Sequence, residues 1–499
     1  MARLYNNMAP QLRKYNGIFI KNATMKKFLI VFLALNTLIT LAQTPCEDGM
    51  AGIYPCSGYD LLSEMTADEF GATNANDSWG WTDPETGSEY VLLGLYNGTA
   101  FINIDDPVNP IYLGRLDSHA GSSLWRDVKT YNNYAFIVSE ANGHGMQIFD
   151  LTRLRDVASP PEDFTEDAHY NGFGNAHNVV INETDGFAYG VGTSTYNGGP
   201  HFVDISDPLN PLAAGGYADD FYSHDGQVVT YTGPDTNYAG REIYIGSNES
   251  YISIVDITDK ANPQQISTAT YSNTVYTHQG WFTEDQRYFL LGDEIDEINY
   301  GFETRTIVFD FNDLDNPVLH FEYSGTTNAT DHNGYVLGNT FYLASYSAGL
   351  RTIDISDIEN QNMTETAYFD VYPSNNNSGY NGAWNVYPYF ESGTILISTL
   401  SYSDSNFDAG MLLIRPSVLA ISDFETIEVS IFPNPANETV TINSPNKDVN
   451  SLALFDITGK LLYSNPTVSA STTIDVSSFS KGVYVLRIND AVTKKIIVE

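Results

Sequence analysis

The chain has 499 residues, of which 62 are Asp or Glu and 23 are Lys or Arg, so its formal net charge is −39. The first 42 residues hold six basic side chains and no acidic ones, which makes the rest of the chain more acidic still. A field this negative repels nucleic acid and anionic lipid surfaces and argues against polyanion binding. It suits cations and saline surroundings, although a solvated acidic surface by itself explains most of the excess.

Residues 1–42 are interpreted as an N-terminal extension and a signal peptide. Met25-Lys26-Lys27 is followed by the apolar run FLIVFLALNTLITLA, a charged n-region and an h-region, with cleavage expected after Ala42. The run is too short for a stable membrane anchor, and no other stretch could span a bilayer. The sequence therefore predicts an exported protein with no transmembrane span, whose initiator is Met25.

The two cysteines, Cys46 and Cys56, are the only ones in the chain and lie just after this signal. Their spacing suits a small disulfide loop in an oxidising compartment, and the alternative is a pair of free or metal-ligating thiols. We assign residues 43–70 to this loop and to a segment that closes the fold described next.

A hydrophobic strand followed by an Asp-containing turn returns six times. Examples are FINIDDPVNP, HFVDISDPLNP and ISIVDITDKANP, and the repeats lie 44 to 54 residues apart. The anchoring positions are Asn103, Asp150, Asp204, Asp256, Asp310 and Asp354. A period of this size with β-type composition predicts sheets of about four strands each, as in a β-propeller. The turn aspartates suggest backbone capping rather than acid–base chemistry.

A second repeated feature is a strand, a polar turn and a β-branched or aromatic strand at the start of each unit, as in NAHNVVINETDGFAYGVG. Seven such segments predict a seven-bladed propeller over residues 71–426, and YDLLSEM (Tyr59–Met65) is expected to supply the strand that closes the ring. Aligning the segments places one residue of each at an equivalent position: Trp81, Arg126, His177, His224, His278, His332 and Trp384.

Residues 427–499 form a separate region of short alternating strands joined by Gly, Pro and Asn turns, which predicts a small C-terminal β-sandwich. Its Phe432-Pro433-Asn434-Pro435 opening, the FDITGK segment from Phe455, Gly482-Val483-Tyr484 and the KKIIV ending resemble the sorting domain of type IX secretion substrates from Bacteroidetes. The resemblance implies that the type IX secretion machinery is a partner. It also implies export to the outer cell surface, with release or attachment there.

The larger region resembles the LVIVD-repeat propellers, which are grouped as choice-of-anchor B family proteins. The resemblance rests on CEDGMAGIYPC, on SWGWTDPETGSEYVLLGLYNGTAFINIDDPVNPIYLGRL, on the His-Asn, His-Asp and His-Gln strand starts and on the VDISDP-type turns. The resemblance implies the fold and the cellular location of the protein but not its biochemical activity. Arg126-Asp127 and the Trp-containing units depart from the His-Asn pattern.

The first strand of each propeller blade lines the central channel, so the equivalent positions should converge at one mouth. His177, His224, His278 and His332 are therefore candidate ligands for Zn, Cu or Fe. Asp225 and Asp331, each next to a ring histidine, are candidates for orienting the imidazoles, and the Gly292-Asp293-Glu294 turn could add a carboxylate ligand. The alternative is that these histidines only bridge neighbouring backbones through hydrogen bonds.

Aromatic and charged side chains near the same mouth suggest ligand binding, with Trp81, Arg126 and Trp384 as candidate contacts for a glycan or a surface protein. The alternative for the tryptophans is core filling between blades. The acidic run Asp293–Glu297 could hold Ca²⁺ but lacks EF-hand spacing.

Several enzyme motifs are missing from the sequence: the GxSxG elbow, a phosphate-binding glycine loop, HExxH and a cysteine nucleophile outside the expected disulfide. The sequence thus favours a secreted or cell-surface binding module that uses a His- and Trp-lined channel mouth. The alternatives are a metalloenzyme, an oxidoreductase or hydrolase with its ion on the four histidines, and a purely structural component of the cell surface.

Overall fold

Strands form almost all of the regular structure, which confirms the all-β class predicted from the β-branched and aromatic runs. This computed structural model describes residues 43–417, 430–443, 451–456, 460–465, 471–488 and 492–498, so the predicted signal peptide lies outside the described residues. The chain divides into a first unit that ends at Ser417 and a second that holds the described residues from 430 onward. Within these ranges, no helix is long and apolar enough to cross a membrane.

The described residues of the first unit form seven sheets, numbered here by the order of their first strands. Sheet 1 consists of Ala75–Thr82, Glu89–Leu95, Gly98–Asn103, Ile111–Asp117 and Glu162–Phe164. Sheet 2 consists of Arg126–Tyr131, Tyr134–Ser139, Met146–Asp150 and Ala168–Tyr170. Sheet 3 consists of Asn178–Asn182, Phe187–Val191, His201–Asp204 and Leu212–Gly216. Sheet 4 consists of Asp225–Thr230, Glu242–Ser247, Ile252–Asp256 and Gln264–Ala269.

In the remaining three sheets, all neighbouring strands pair antiparallel. Sheet 5 consists of Thr277–Phe282, Tyr288–Asp293, Arg305–Asp310 and Val318–Ser324. Sheet 6 consists of Gly334–Leu337, Thr340–Ser345, Gly349–Asp357, Asn362–Phe369, Tyr54–Ser57 and Met50–Ala51. Sheet 7 consists of Gly382–Tyr387, Ile395–Leu400, Gly410–Pro416 and Tyr59–Thr66. The β-propeller fold is thereby confirmed, and the seven-blade count stays a prediction with which these seven sheets agree.

Helical segments in the described part of the chain are short. They are one α-helix, Asp296–Tyr300, and the 3₁₀ segments Ala67–Phe70, Leu151–Asp156, Tyr196–Gly198 and Ile358–Asn360.

Each sheet packs on the next through a buried apolar cluster, and the last sheet packs on the first. One cluster joins Val91 and Ile102 of sheet 1 to Leu396 and Leu413 of sheet 7. Another joins Leu92 of sheet 1 to buried side chains of sheet 2. Because every sheet is covered on both faces, the strands read as almost continuous apolar runs.

The outer strand of sheet 7 comes from the other end of the unit: Tyr59–Thr66 pairs antiparallel with Gly410–Pro416. Chain segments about 350 residues apart in sequence are therefore joined in one sheet, which leaves no free edge between the first and last repeats.

The repeated aspartates cap the turns that follow the third strands. The Asp204 carboxylate accepts a hydrogen bond from the Ser206 N–H at 2.9 Å, and Asp354 accepts one from the Ser356 N–H at 2.8 Å. Short polar side chains favour this local geometry, which explains why the motif recurs in successive repeats.

Cys46 and Cys56 form the predicted disulfide, with their Cα atoms 6.0 Å apart. The bridge closes the hairpin of Met50–Ala51 and Tyr54–Ser57, which extends sheet 6.

The second unit contains two small antiparallel sheets. One holds Ser430–Phe432, Thr439–Asn443 and Ser471–Asp475, and the other holds Leu461–Asn465, Leu452–Asp456, Gly482–Ile488 and Val492–Val498. Val440 and Ile474 of the first sheet share one buried cluster with Leu454 and Leu486 of the second. The predicted β-sandwich is confirmed.

Candidate functional site

The first strands of neighbouring sheets contact one another around the central axis, and Ala75–Thr82 closes the circle against Gly382–Tyr387. Side chains at the beginning of these strands meet at one mouth of the channel. Those that follow, at every second position, line the channel itself because strand residues alternate between two directions.

Five rings form an arc at this mouth. We call His177, His224, His278, His332 and Trp384 the histidine arc. Successive ring centroids are 4.1, 4.4, 4.5 and 4.4 Å apart in that order, and every ring is at least nine-tenths buried. The structure thus brings together the four predicted histidines and Trp384.

Backbone carbonyls of the next sheet fix two of these imidazoles. His224 Nδ1 lies 3.4 Å from the His278 carbonyl oxygen, and His332 Nδ1 lies 2.6 Å from that of Trp384. A carbonyl oxygen only accepts, so Nδ1 carries the proton and Nε2 keeps a free lone pair. This arrangement bridges adjacent sheets, and it also leaves Nε2 available as a ligand atom.

Glu294 lies beside the Nε2 atoms of two histidines of the arc. Its carboxylate oxygens are 3.8 Å from His278 Nε2 and 3.7 Å from His332 Nε2, and the Tyr346 hydroxyl donates to it at 2.7 Å. Burial raises the pKa of Glu294 to about 7, and burial lowers the pKa of His332 to about 3. Neutral imidazoles and one carboxyl within 4.8 Å of one another are a donor set that a Zn²⁺-like ion accepts.

His177 has a different partner, although its ring belongs to the arc. Its Nδ1 lies 2.6 Å from the Glu140 carboxylate. The four predicted histidines therefore do not converge on one point, and the compact donor group consists of His278, His332 and Glu294.

Trp81 does not reach the mouth, contrary to the sequence alignment. It is the seventh residue of Ala75–Thr82, stacks on Tyr90 with ring centroids 5.1 Å apart, and fills the core between sheets 1 and 2. Asn76, near the beginning of that strand, reaches toward sheet 2 and donates to the Leu124 carbonyl at 2.8 Å. The alignment matched Trp81 with residues at the beginning of the other first strands. The first strand of sheet 1 begins at Ala75, however, so Trp81 lies near the end of its strand.

Arg126 begins its strand as predicted, but its side chain turns away from the channel. The guanidinium is buried between sheets 1 and 2, where it donates to the Leu95 carbonyl and the Ser118 hydroxyl and lies 2.9 Å from His144 Nε2. It cannot contact a ligand at the mouth in this position.

Neither predicted orienting carboxylate hydrogen-bonds to an imidazole in the described part of the chain. Asp225 accepts from the Gly226 N–H and faces the channel interior. Asp331 lies against Gly292, where a Cβ would come within 1.9 Å of its carboxylate. The imidazoles are oriented by backbone carbonyls and by Glu140 instead.

Asp293, the first residue of the acidic run proposed to hold Ca²⁺, has a structural role. Asp293 is fully buried and accepts hydrogen bonds from the Val275 and Tyr276 backbone and from the Tyr271 hydroxyl. These bonds occupy the oxygens that a calcium ion would use there.

Further along the same first strands the channel widens into an axial cavity of about 460 Å³. Its aromatic side chains are Trp79, Trp281, Tyr335, Tyr387 and Tyr389. Its polar side chains include Asp77, Asp127, Lys129, Asn178, Asp225, Gln227, Gln279 and Asn333. Sequence reasoning missed this cavity, although part of the signal was present: Asp127, Asn178, Asp225, Gln279 and Asn333 each lie one position after an aligned residue, and Lys129, Gln227, Trp281, Tyr335 and Tyr387 each lie three positions after one.

One ammonium group is paired with carboxyl groups inside the axial cavity. Lys129 Nζ lies 2.5 Å from Asp127, 3.6 Å from Asp77 and 4.6 Å above the ring of Trp79. Burial raises the pKa of Asp77 well above its usual value and raises that of Asp225 to about 7, whereas for Asp127 the Lys129 ammonium and hydrogen bonds outweigh burial and lower the pKa. The axial cavity therefore holds one ammonium group among the carboxyl groups of Asp77, Asp127, Asp225 and Glu183.

A second, smaller pocket of about 210 Å³ opens outside the histidine arc, and we call it the mouth pocket. Its lining consists of Leu124, Trp125, Glu294, Tyr346, Tyr380, Trp384, Leu400 and Tyr402. Glu294 thus faces both the arc and this pocket.

Comparison with known proteins identifies two parts of the chain. Residues 430–499 match the family model of the secretion system C-terminal sorting domain, and residues 237–270 match that of the LVIVD repeat. Both predicted resemblances are confirmed at this level, while membership of the choice-of-anchor B group stays a prediction. The chain is thus an exported β-propeller protein with a type IX sorting domain, which indicates secretion and attachment at the cell surface.

No curated protein matches this sequence. Among solved structures, similarity extends to PorZ, described as an essential bacterial surface component of the type-IX secretion system of Porphyromonas gingivalis, at 12% identity and a TM-score of 0.44. That match covers 86% of this chain and 60% of PorZ, so this chain spans less than two thirds of its length.

Two further structures are similar. The β-propeller domain of Cps50 (Swd1) from Myceliophteria thermophila matches at 10% identity and a TM-score of 0.42, covering 66% of this chain and 93% of that one. A protein from Lactobacillus plantarum matches at 11% identity and a TM-score of 0.42, covering 80% and 99%.

Proposed function

We propose that this exported propeller is a binding protein whose axial cavity holds a neutral saccharide. The observation that carries this proposal is the cavity lining, in which five aromatic side chains and several carboxylates and amides face one space of about 460 Å³. Sugar rings have apolar C–H faces and hydroxyl edges, so aromatic faces combined with hydrogen-bonding groups complement them.

The aromatic side chains form one connected surface. Tyr335 lies between the two tryptophans, with its ring centroid 5.8 Å from that of Trp79 and 5.0 Å from that of Trp281. The tryptophans are only partly buried, so part of each ring is available to a ligand. A rigid aromatic surface of this kind loses little conformational entropy on binding.

The charge distribution favours a neutral ligand over an anion. The Lys129 ammonium is already paired with Asp127, and burial raises the pKa of Asp77 well above its usual value. An anionic ligand would lose its hydration without an unpaired cation to replace it, whereas hydroxyl groups can donate to carboxylates and accept from amides.

The test is glycan-array screening of the full exported chain, followed by calorimetric titration of the best saccharide. Trp281→Ala should weaken binding at least tenfold because it removes an aromatic face from the cavity. The matched control is Trp125→Ala, which alters the mouth pocket and should leave the affinity unchanged. Absence of saccharide binding, or equal affinities for both variants and the wild type, would contradict the proposal.

A metalloenzyme is the second candidate, favoured by the group of His278, His332 and Glu294. A metal ion held there would face the mouth pocket and could polarise a bound substrate. Elemental analysis of the full chain after exposure to Zn²⁺, Cu²⁺ or Fe²⁺ should then find one equivalent that the double variant His278→Ala, His332→Ala loses. Equal metal content in the variant and the wild type would assign these two histidines to structural bridging alone.

A further inference from the structure

A second group of metal-ligand side chains lies on the outer strands of sheets 1 and 2. His119 follows Ile111–Asp117, the fourth strand of sheet 1, and His169 belongs to Ala168–Tyr170, the fourth strand of sheet 2. We call His119, Glu166 and His169 the outer triad. One ligand atom of each lies within 4.8 Å of the others, and His119 Nδ1 is 2.9 Å from the Glu166 carboxylate.

A buried layer beneath the outer triad fixes two of its members. Gln147, which is 2% exposed, donates to one Glu166 oxygen at 2.8 Å. His169 Nε2 donates to the carbonyl of the fully buried His144 at 2.7 Å. The other Glu166 oxygen is the one that contacts His119 Nδ1, and His169 Nδ1 keeps its lone pair.

The same buried layer holds the segment that carries His119. The Arg126 guanidinium donates to the Ser118 hydroxyl at 2.8 Å, and Gln147 donates to the Asp117 carbonyl at 3.0 Å. Arg126 and Gln147 are each 2% exposed, so the two chain segments that carry the outer triad are tied to one interior hydrogen-bond network.

We propose that the outer triad binds a divalent transition metal ion of Zn²⁺ type, with water in the fourth position. Two imidazoles and one carboxylate are a donor set that Zn²⁺ binds in proteins, and the hydrogen bonds from Gln147 and to His144 are the kind that orient such ligands. His119 and Glu166 are 35% and 24% exposed, which leaves a side open to water.

The alternative is a surface ion pair between His119 and Glu166, but it accounts for only part of the geometry. Such a pair contributes little stability and needs neither a buried network behind it nor a second imidazole. The rings of His119 and His169 stack parallel with centroids 3.7 Å apart. Imidazole lone pairs lie in the ring plane, so the partly exposed His119 ring tilts out of this stack when both rings bind one ion.

The experiment uses the full exported chain carrying His278→Ala and His332→Ala, which removes the compact donor group at the mouth. After treatment with a chelator, Co²⁺ titration should give one equivalent and visible d–d absorption, and Zn²⁺ should abolish that absorption by displacement. Adding His169→Ala should weaken Co²⁺ binding at least 100-fold, and Glu166→Gln should weaken it at least tenfold. His320→Ala is the matched control, since this outer-strand histidine donates to the Ile358 carbonyl and lies outside the triad.

Two results would overturn the proposal: no Co²⁺ or Zn²⁺ binding below a Kd of about 100 µM, or the same affinity in the His169→Ala and Glu166→Gln chains as in their parent. Circular dichroism of every variant checks that the fold persists, and Glu166→Gln keeps the test valid if His169→Ala does not fold. Saccharide titration of the same variants should be unchanged, so this proposal and the proposed function can fail separately.

Discussion

The histidines of the arc illustrate how one residue type serves two purposes. His332 donates from Nδ1 to the next sheet, a structural bond, and the same bond directs its Nε2 toward Glu294. Bridging and ligation are therefore not exclusive for these side chains.

Arg155 and Asp83 form an ion pair whose role is purely structural. The guanidinium of Arg155, in the 3₁₀ segment after the third strand of sheet 2, donates to both oxygens of the buried Asp83 carboxylate at 2.6 and 2.7 Å. Asp83 follows the first strand of sheet 1, so the pair joins two sheets, and hydrogen bonds from Arg155 lower its pKa to about 2.

We predict that this pair makes stability depend on pH between about 4 and 2. Because the folded-state pKa is depressed, the contribution is fully present above the ordinary aspartate value near 4 and is lost as the pH falls through about 2. Asp83→Asn should lower the free energy of unfolding by on the order of 1–2 kcal/mol at pH 6 and by less at pH 3. Urea unfolding at the two pH values measures this, and a difference that does not change with pH would contradict it.

At the scale of elements, closure of the ring depends on a close approach between two strands. Gly410 lies where Gly410–Pro416 meets Tyr59–Thr66, and a Cβ there would come within 2.1 Å of the Met65 carbonyl oxygen and 2.8 Å of the Thr66 Cα. Both atoms belong to the backbone, so the strands could accept a side chain only by separating.

Gly410→Ala should therefore destabilise the propeller through its closing sheet, by on the order of 1–3 kcal/mol. The measurement is the midpoint of thermal unfolding of the full chain, which should fall by several degrees. Gly174→Ala is the matched control because the nearest atom to a Cβ there is 3.7 Å away. An unchanged midpoint in the Gly410→Ala protein would show that the closing strand does not limit stability.

At the scale of the whole molecule, the net charge is distributed unevenly between the two units. Residues 427–499 contain six basic and seven acidic side chains, so nearly all of the net charge of −39 belongs to the propeller and the segment before it. Such a charge keeps a secreted protein soluble. Inside the axial cavity, by contrast, the buried Lys129 ammonium pairs with two carboxyl groups.

Local patterns predicted the fold class because each repeat contains the residues that form its own strands and turns. The Asp-containing turns, the two alternating strands before them and the paired cysteines are short-range features, and all of them reappear in the structure as turns, strands and a disulfide. The exact register is not local, which is why Trp81 was placed at the mouth although its strand begins six residues earlier.

By itself, the sequence determined the all-β class, the propeller, the sorting domain with its cellular destination and the histidines that meet at the channel mouth. Only the tertiary structure decided which groups face each other: Glu294 with His278 and His332, Lys129 with Asp77 and Asp127, and His119 with Glu166 and His169. The physical reason is that strand periodicity and turn chemistry act between neighbours in the chain. A channel, a cavity or a metal-ligand group instead combines side chains from different sheets, whose distances depend on how the ring closes.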